Sequence, residues 1–378
     1  MFGRVVKSLI AGEFIIVLLI TALLIYQKQV EDVYNEEVVI SDLLPCEEEN
    51  QEEGNTKEND TQEEEKVRDY IKWIDFNVTN TAMNDAYEFD LESQEADIKL
   101  NWIEILAYLG AKYGGDFSRY KSKDMQAFVD QLVNEGKTVD QITADMKYYD
   151  YFHEAYEAVL GGFLGNYEIE STTETGEKIW ECKYGLKAYL PLAKNFPYSD
   201  YDDFGVSRTY GFRRQHLGHD MMGQVGTPVI AVESGYVEAL GWNQYGGWRI
   251  GIRSFDGKRY YYYAHLRKNH PYMADLEEGS IVQAGDVIGY LGRTGYSRTE
   301  NTNNIDTPHL HFGMQIIFDE SQKECNSEIW IDCYQIIKFL YKNRSETVKN
   351  EETKEWYRII QFKDPAVAEY KQLHGLEE

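Results

Sequence analysis

Residues 259–266 read RYYYYAHL and residues 309–317 read HLHFGMQII, two aromatic and apolar runs of strand length that each carry histidine. Around them lie PVIAV (228–232), GYVEAL (235–240), WRIGI (248–252) and GDVIGYLG (285–292), all short and all punctuated by glycine. Runs of this length and composition predict an antiparallel all-β domain, here spanning 201–318. Alternate side chains of an extended strand share a face. His309 and His311 are therefore expected on one face, with Leu310 and Phe312 packing on the other. By the same rule His265 is expected beside Tyr261 and Tyr263, with Tyr260, Tyr262 and Ala264 opposite. A third segment, HLGHD (216–220), points His216, Gly218 and Asp220 one way and His219 the other, and Gly218 is expected to leave room for an ion.

Six of the chain's eight histidines fall between His216 and His311, a clustering that asks for a chemical reason. His216, Asp220 and one histidine of HLHF form a set of two imidazoles and one carboxylate. With one position left open, this is the ligand formula of a catalytic zinc site, because structural zinc is closed by four protein ligands. The second histidine of HLHF is then placed to face what the ion holds. His219 points away and His270 lies in a polar Asn-His-Pro turn, so both are expected to be bystanders.

The order HLGHD, YYYYAHL, TPHLHF, with GTPVIAVESGYV after the first and GSIVQAGDVIGYLGRTG between the second and third, closely resembles the lysostaphin/LytM-type zinc metallopeptidase domain. The resemblance covers Phe204 to Ile317. It implies His216, Asp220 and His311 as zinc ligands, His265 and His309 as catalytic histidines, and Tyr210 as a hydroxyl that helps hold the tetrahedral intermediate. The activity it implies is hydrolysis of peptide bonds in the stem or cross-bridge of bacterial peptidoglycan, by zinc-activated water with histidine acid/base assistance. A peptidase fold can also serve as a zinc-binding or inactive scaffold that holds partner proteins at the wall; degenerate ligands would favour that role, and none is degenerate here. Two departures bear on substrate choice: Met221 to Gln224 replace a small-residue segment, and Tyr296 to Thr307 lengthen the loop before HLHF, which is expected to border the groove.

The rest of the chain has a different character. Arg4 and Lys7 precede an apolar run from Ser8 to Tyr26 with only Glu13 in it, so residues 1–30 are read as a cytoplasmic stub and single membrane anchor with the remainder outside the cell. A cleaved signal peptide is the rival reading, and no small-x-small site follows Ile25. Residues 31–66, ending in EEENQEEGNTKENDTQEEEK, hold too little apolar surface to repay ordering and are read as an acidic tether. Residues 67–170 carry helical spacing (Trp102, Ile103, Leu106, Leu109; Met125, Phe128, Val129, Leu132) and are read as an all-α accessory domain, the candidate surface for a protein partner. The aromatic segment Tyr148 to Leu164 raises a glycan-cleaving module with Glu104 or Glu154 as acid, but aromatic residues at helical spacing are more often core, and His153 is read as half-buried. A connecting segment (171–200) and a C-terminal helical extension with a tail (319–378), including a helix over Ile329 to Tyr341, complete the reading.

The net charge of −27, from 38 basic and 65 acidic residues, works against a phosphate backbone and excludes nucleic acid as a partner. Cys46, Cys182, Cys325 and Cys333 show no C-x-x-C spacing, so neither a zinc ribbon nor a thioredoxin-like site is indicated; Cys325 is free or paired with Cys333 or Cys182. The low cysteine count and the lack of a periplasm-type feature fit a Gram-positive cell, and an outward-facing anchor and tether suit an enzyme that works in the wall.

Overall fold

The computed structural model describes residues 70–209, 213–323 and 327–376. Its contacts divide the chain into residues 1–57 and 58–378, and every described residue belongs to the second unit. The apolar run 8–26, the tether, Tyr210, Cys46 and Cys325 lie outside the described residues. No helix among the described residues is long and apolar enough to cross a membrane.

Five helices come first: α1 (Asn80–Ser93), α2 (Trp102–Tyr113), α3 (Ser122–Val133), α4 (Val139–Thr143) and α5 (Tyr149–Leu160). Helix α2 starts where the Asn101 side chain accepts the backbone N–H groups of Ile103 and Glu104, and ends at Gly114, whose φ of +65° only glycine adopts freely. Trp102, Ile103, Leu106 and Leu109 are buried on one side of it, and Met125, Phe128, Val129 and Leu132 on one side of α3. In α5, Tyr149, Phe152 and Tyr156 turn into the core while Tyr148 and Tyr151 stay outside. The crowded aromatic rings are thus mostly core, and Glu154 sits exposed.

Helix gives way to strand earlier than the sequence pattern suggests. Residues 164–172 and 178–186 form a hairpin, β1 (Leu164–Thr172) and β2 (Lys178–Leu186), registered from Leu164↔Leu186 to Thr172↔Lys178. Gly161 and Gly162 close the helix. Both strands are mostly partly exposed, which leaves little apolar alternation to read.

The main sheet is antiparallel throughout, in the order β10 (Ile281–Val282), β7 (Gly235–Asn243), β8 (Gly247–Ser254), β9 (Arg259–Ala264), β12 (His309–Ile316), β13 (Ile329–Trp330). Strand β5 (His219–Met222) pairs with the first half of β12, setting His311 opposite Asp220. Short ribbons β3 (Ser207–Thr209) with β4 (Arg213–Gln215), β6 (Pro228–Ile230) with β11 (Val287–Tyr290), and β14 (Thr347–Lys349) with β15 (Trp356–Arg358) flank it. Strand β16 (Phe362–Lys363) returns to pair with β1.

The expected helix from Ile329 is shorter than its spacing implies. Ile329 pairs with Ile316 at the sheet edge, and only α6 (Tyr334–Leu340) is helical there. A last helix, α7 (Pro365–His374), is capped by the Asp364 side chain. Sheet and helices share one hydrophobic core running from Ile74 to Leu340. At their seam the buried Arg259 guanidinium donates to the Ala158 carbonyl (2.9 Å) at the end of α5 and to both Glu233 oxygens (2.8 and 3.0 Å). The charge is thus paired and the helix end capped by one side chain. Cys182 and Cys333 are free thiols, the first exposed and the second buried.

Candidate metal centre

Strand pairing brings the separated motifs together. Because β5 and β12 run antiparallel with Asp220 opposite His311, carboxylate and imidazole share one face, and His216 reaches it from the turn between β4 and β5. His216 Nε2, Asp220 Oδ1 and His311 Nδ1 form a triangle with sides of 3.0, 2.9 and 2.9 Å. All three corners can lie about 2.0–2.1 Å from one ion, the range for zinc with nitrogen and carboxylate ligands. Among the described residues this is the one group of three or more His, Cys, Asp or Glu side chains close enough to hold a metal.

The donor set is oriented from behind, as metal ligands are. His216 Nδ1 faces the Asp203 carbonyl at 3.0 Å and its carboxylate at 3.2 Å. Arg208 bonds Asp203 Oδ2 at 2.8 Å and Asp220 Oδ2 at 3.2 Å, which leaves Asp220 Oδ1 for the triangle. Burial works against the Asp203 charge, but hydrogen bonds from His216 and His219 outweigh it and lower its pKa to about 2. Burial likewise opposes charge on His216, and the carboxylates of Asp203 and Asp220 overcome it, raising its pKa to about 9. Asp220 is buried too, yet His216 and His311 keep it far below the ordinary carboxylate range. Burial pushes His311 down. Two imidazoles around an anionic carboxylate, with the His216 ring steered from behind by Asp203, suit a divalent cation with nitrogen affinity.

Gly218 has a different use from the one its position suggests. A Cβ there would lie 2.6 Å from His311 Cε1 and Nε2, so its missing side chain makes room for the His311 ring rather than for an ion. His219 points away from the triangle, as strand alternation requires, and is buried against Asp200 Oδ2 at 2.9 Å. His270 lies elsewhere, 3.3 Å from Glu355 Oε1.

His309 and His265 flank the triangle. His309 Nδ1 donates to the Thr307 carbonyl (2.8 Å), which turns Nε2 toward Asp220 Oδ1, 3.6 Å away. His265 Nδ1 donates to the Thr294 carbonyl (2.9 Å), and its ring centroid stands 4.8 Å from His309 and 5.8 Å from His311. This overturns the expected side for His265. Strand β9 stops at Ala264, and the positive φ of His265 (+62°) swings its ring away from the Tyr261 and Tyr263 face onto that of Tyr262 and His311. Burial, reinforced by the neighbouring His309 and His311, drives the His265 pKa well down, so the ring is neutral. Tyr210 lies outside the described residues.

The structure adds residues that strand periodicity does not reveal. Asp203 comes from the irregular stretch before β3, and Arg208 from the middle of that three-residue strand. Tyr296, from the lengthened loop, stands 5.8 Å from the His265 ring, which puts that loop at the site. Asn301 pins the same loop, accepting from Trp248 Nε1 (2.9 Å) and the Asn269 backbone (2.8 Å).

Residues 214–326, which contain the triangle and both flanking histidines, match the sequence model described as Peptidase family M23. Over 215 residues the chain is 31% identical to the L-Ala--D-Glu endopeptidase of Bacillus subtilis (strain 168), covering 56% of this chain and 61% of that protein. It is 40% identical over 98 residues to the Glycyl-glycine endopeptidase ALE-1 of Staphylococcus capitis, 26% of this chain and 24% of that protein. Among solved structures, the catalytic domain of the antimicrobial peptidase lysostaphin from Staphylococcus simulans is 33% identical, covers 37% of this chain and 92% of that one, and superposes with a TM-score of 0.29. The chain thus spans less than two thirds of the length of either curated relative.

Proposed function

We propose that this chain, whose residues 214–326 match the model of Peptidase family M23, is a zinc-dependent endopeptidase of that family that hydrolyses peptide bonds of bacterial peptidoglycan. The observation that carries the reading is the triangle of His216 Nε2, Asp220 Oδ1 and His311 Nδ1, with the imidazoles of His265 and His309 beside it. These three ligands would hold the zinc, which supplies Lewis acidity and an acidified water at neutral pH.

The remaining work falls to the protein's own groups. With both Nδ1 atoms tied to carbonyls, His265 and His309 present Nε2 to the site, so each can accept a proton there and return it to a leaving amine. A protonated imidazole also meets negative charge developing on the scissile carbonyl oxygen. Tyr210 is proposed as a hydroxyl donor to the same oxygen. Arg208 and Asp203 hold His216 and Asp220 in place throughout.

The anchor and tether belong to this proposal. Basic residues before the run 8–26 and acidic sequence after it support a single crossing with the catalytic domain outside, at the surface of a Gram-positive cell. The two curated relatives are named for different bonds, so the family by itself leaves the bond open.

The test is mass spectrometry of purified peptidoglycan after incubation with the zinc-loaded full chain, beside His309→Ala. New amino termini from the intact protein alone would support the reading and identify the bond. Walls of several cross-link types left whole by a protein that binds zinc stoichiometrically would overturn it in favour of a scaffold.

A further inference from the structure

The groove holds a second arginine that the zinc triangle does not use. Arg214, on β4, lies beside Arg208, but the two differ in their partners. Arg208 is spent on Asp203 and Asp220. Arg214 forms none of the ion pairs seen among the described residues, and its Nε is buried with no hydrogen-bond partner. Its guanidinium rests instead on the Tyr296 ring, 5.1 Å from the centroid, and that ring is 5.8 Å from His265. Asp220, Tyr262 and Tyr245 are close enough for its charge to feel them. Arg214 therefore sits between the metal triangle and the lengthened loop.

In a chain with 65 acidic and 38 basic residues, a half-buried arginine left without a carboxylate runs against the overall field. Taking a guanidinium partly out of water costs free energy unless an anion meets it. Asp220, the carboxylate whose charge acts on it, is committed on both oxygens, to Arg208 and to the triangle. An anion for Arg214 must then come from what the groove binds. A planar fork of N–H donors matches a carboxylate bidentately, and the cation–π contact with Tyr296 limits where that fork can sit.

We propose that Arg214 is a specificity-determining residue that takes a free carboxylate carried by the substrate on a residue flanking the scissile amide, so that the groove selects acidic stem peptides over neutral bridges. This rests on the endopeptidase reading above and adds the substrate class to it. Tyr296 positions Arg214 and links the lengthened loop to that choice.

The test starts from the bond identified in the peptidoglycan digest. Two synthetic peptides are built around it, identical except that the flanking residue bears a carboxylate or a carboxamide. The zinc-loaded full chain should cleave the carboxylate peptide with kcat/KM about 10- to 100-fold higher, the span of a charge-assisted hydrogen-bonded pair. In Arg214→Gln the ratio should fall toward 1, chiefly through KM, with zinc content and melting temperature controlled. Arg214→Lys should restore part of the preference, keeping the charge without the fork.

Equal cleavage of both peptides by the unaltered protein would overturn the proposal and leave the endopeptidase reading standing. So would a digest whose bond has no carboxylate-bearing neighbour, or an Arg214→Gln defect in kcat that is the same for both peptides. A protein that releases no new amino termini from any wall sinks the endopeptidase reading, and the proposal with it.

Discussion

The two faces of strands β9 and β12 are built from alternate residues of the same short segments, yet they do opposite work. On one face Tyr261, Tyr263, Leu310, Phe312 and Met314 are buried and join the core shared with the helices. On the other, His309, His311 and Tyr262 share the side of the candidate metal site, and glycine replaces bulk: a Cβ on Gly313 would lie 2.7 Å from the Trp330 ring, and one on Gly251 of the adjoining β8 2.0 Å from the Tyr260 hydroxyl. The difference shows how one strand can serve stability and chemistry together. Period-two alternation separates the two sets of side chains, so selection on one face need not disturb the other.

Removing a proposed zinc ligand from the histidine-bearing face should give the largest effect. Asp220→Ala or His311→Ala is expected to lower peptidoglycan hydrolysis by on the order of 10³-fold or more, because Lewis acidity and water acidification depend on the intact ligand set. Zinc stoichiometry by metal analysis should fall with it. The far-UV spectrum should stay β-rich, since the opposite face is untouched. If either variant unfolds, the separation of the two faces is broken.

Phe312→Ala makes the reciprocal test, one residue from a ligand but facing the core. Deleting this ring should cost about 3–5 kcal/mol in denaturant unfolding. Zinc bound per folded molecule should stay near that of the parent at low temperature. Loss of zinc without loss of stability would mean that the faces are coupled through the backbone of β12.

Asp203 tests how far the groove face extends behind its ligands. Asp203→Asn keeps the shape but weakens the hold on His216 and Arg208, and zinc affinity in a competition titration should drop about 10- to 100-fold. An unchanged affinity would reduce Asp203 to a fold-stabilising acid.

What could be read beforehand follows the same division. The glycine-cut runs exposed the sheet, and His309 and His311 were legible because their spacing is a strand spacing, whereas His216 lies in the turn before β5 and reaches Asp220 without the extended strand the spacing implied. The orientation of His265 was not, since a reversal of φ at a strand end leaves no trace in a period of two. Asp203 escaped because it lies in irregular backbone, and Arg208 and Arg214 because their strands, three residues each, are too short to show a period. The β1–β2 hairpin was missed because, half exposed on both faces, it lacks the apolar alternation that marks a strand. Strand β13 was hidden by the apolar spacing of the helix that follows it.

The four consecutive tyrosines allow the smallest and cleanest comparison, one hydroxyl removed from each face. Tyr261 is fully buried and its hydroxyl donates to Glu233 Oε2 at 2.5 Å, inside the network that joins Arg259 to the end of α5. Tyr261→Phe takes a donor from a buried carboxylate and should cost about 1–3 kcal/mol in denaturant unfolding. Tyr262 is its neighbour on the other face, and its hydroxyl only accepts a 3.3 Å bond from Asn243 Nδ2. Tyr262→Phe should cost less than about 1 kcal/mol, because a lost long contact at a partly open groove is made good by water. Equal costs for the two hydroxyls would show that the groove floor is as dry and as tightly bonded as the core, and the functional division between the faces would then rest on the histidines alone.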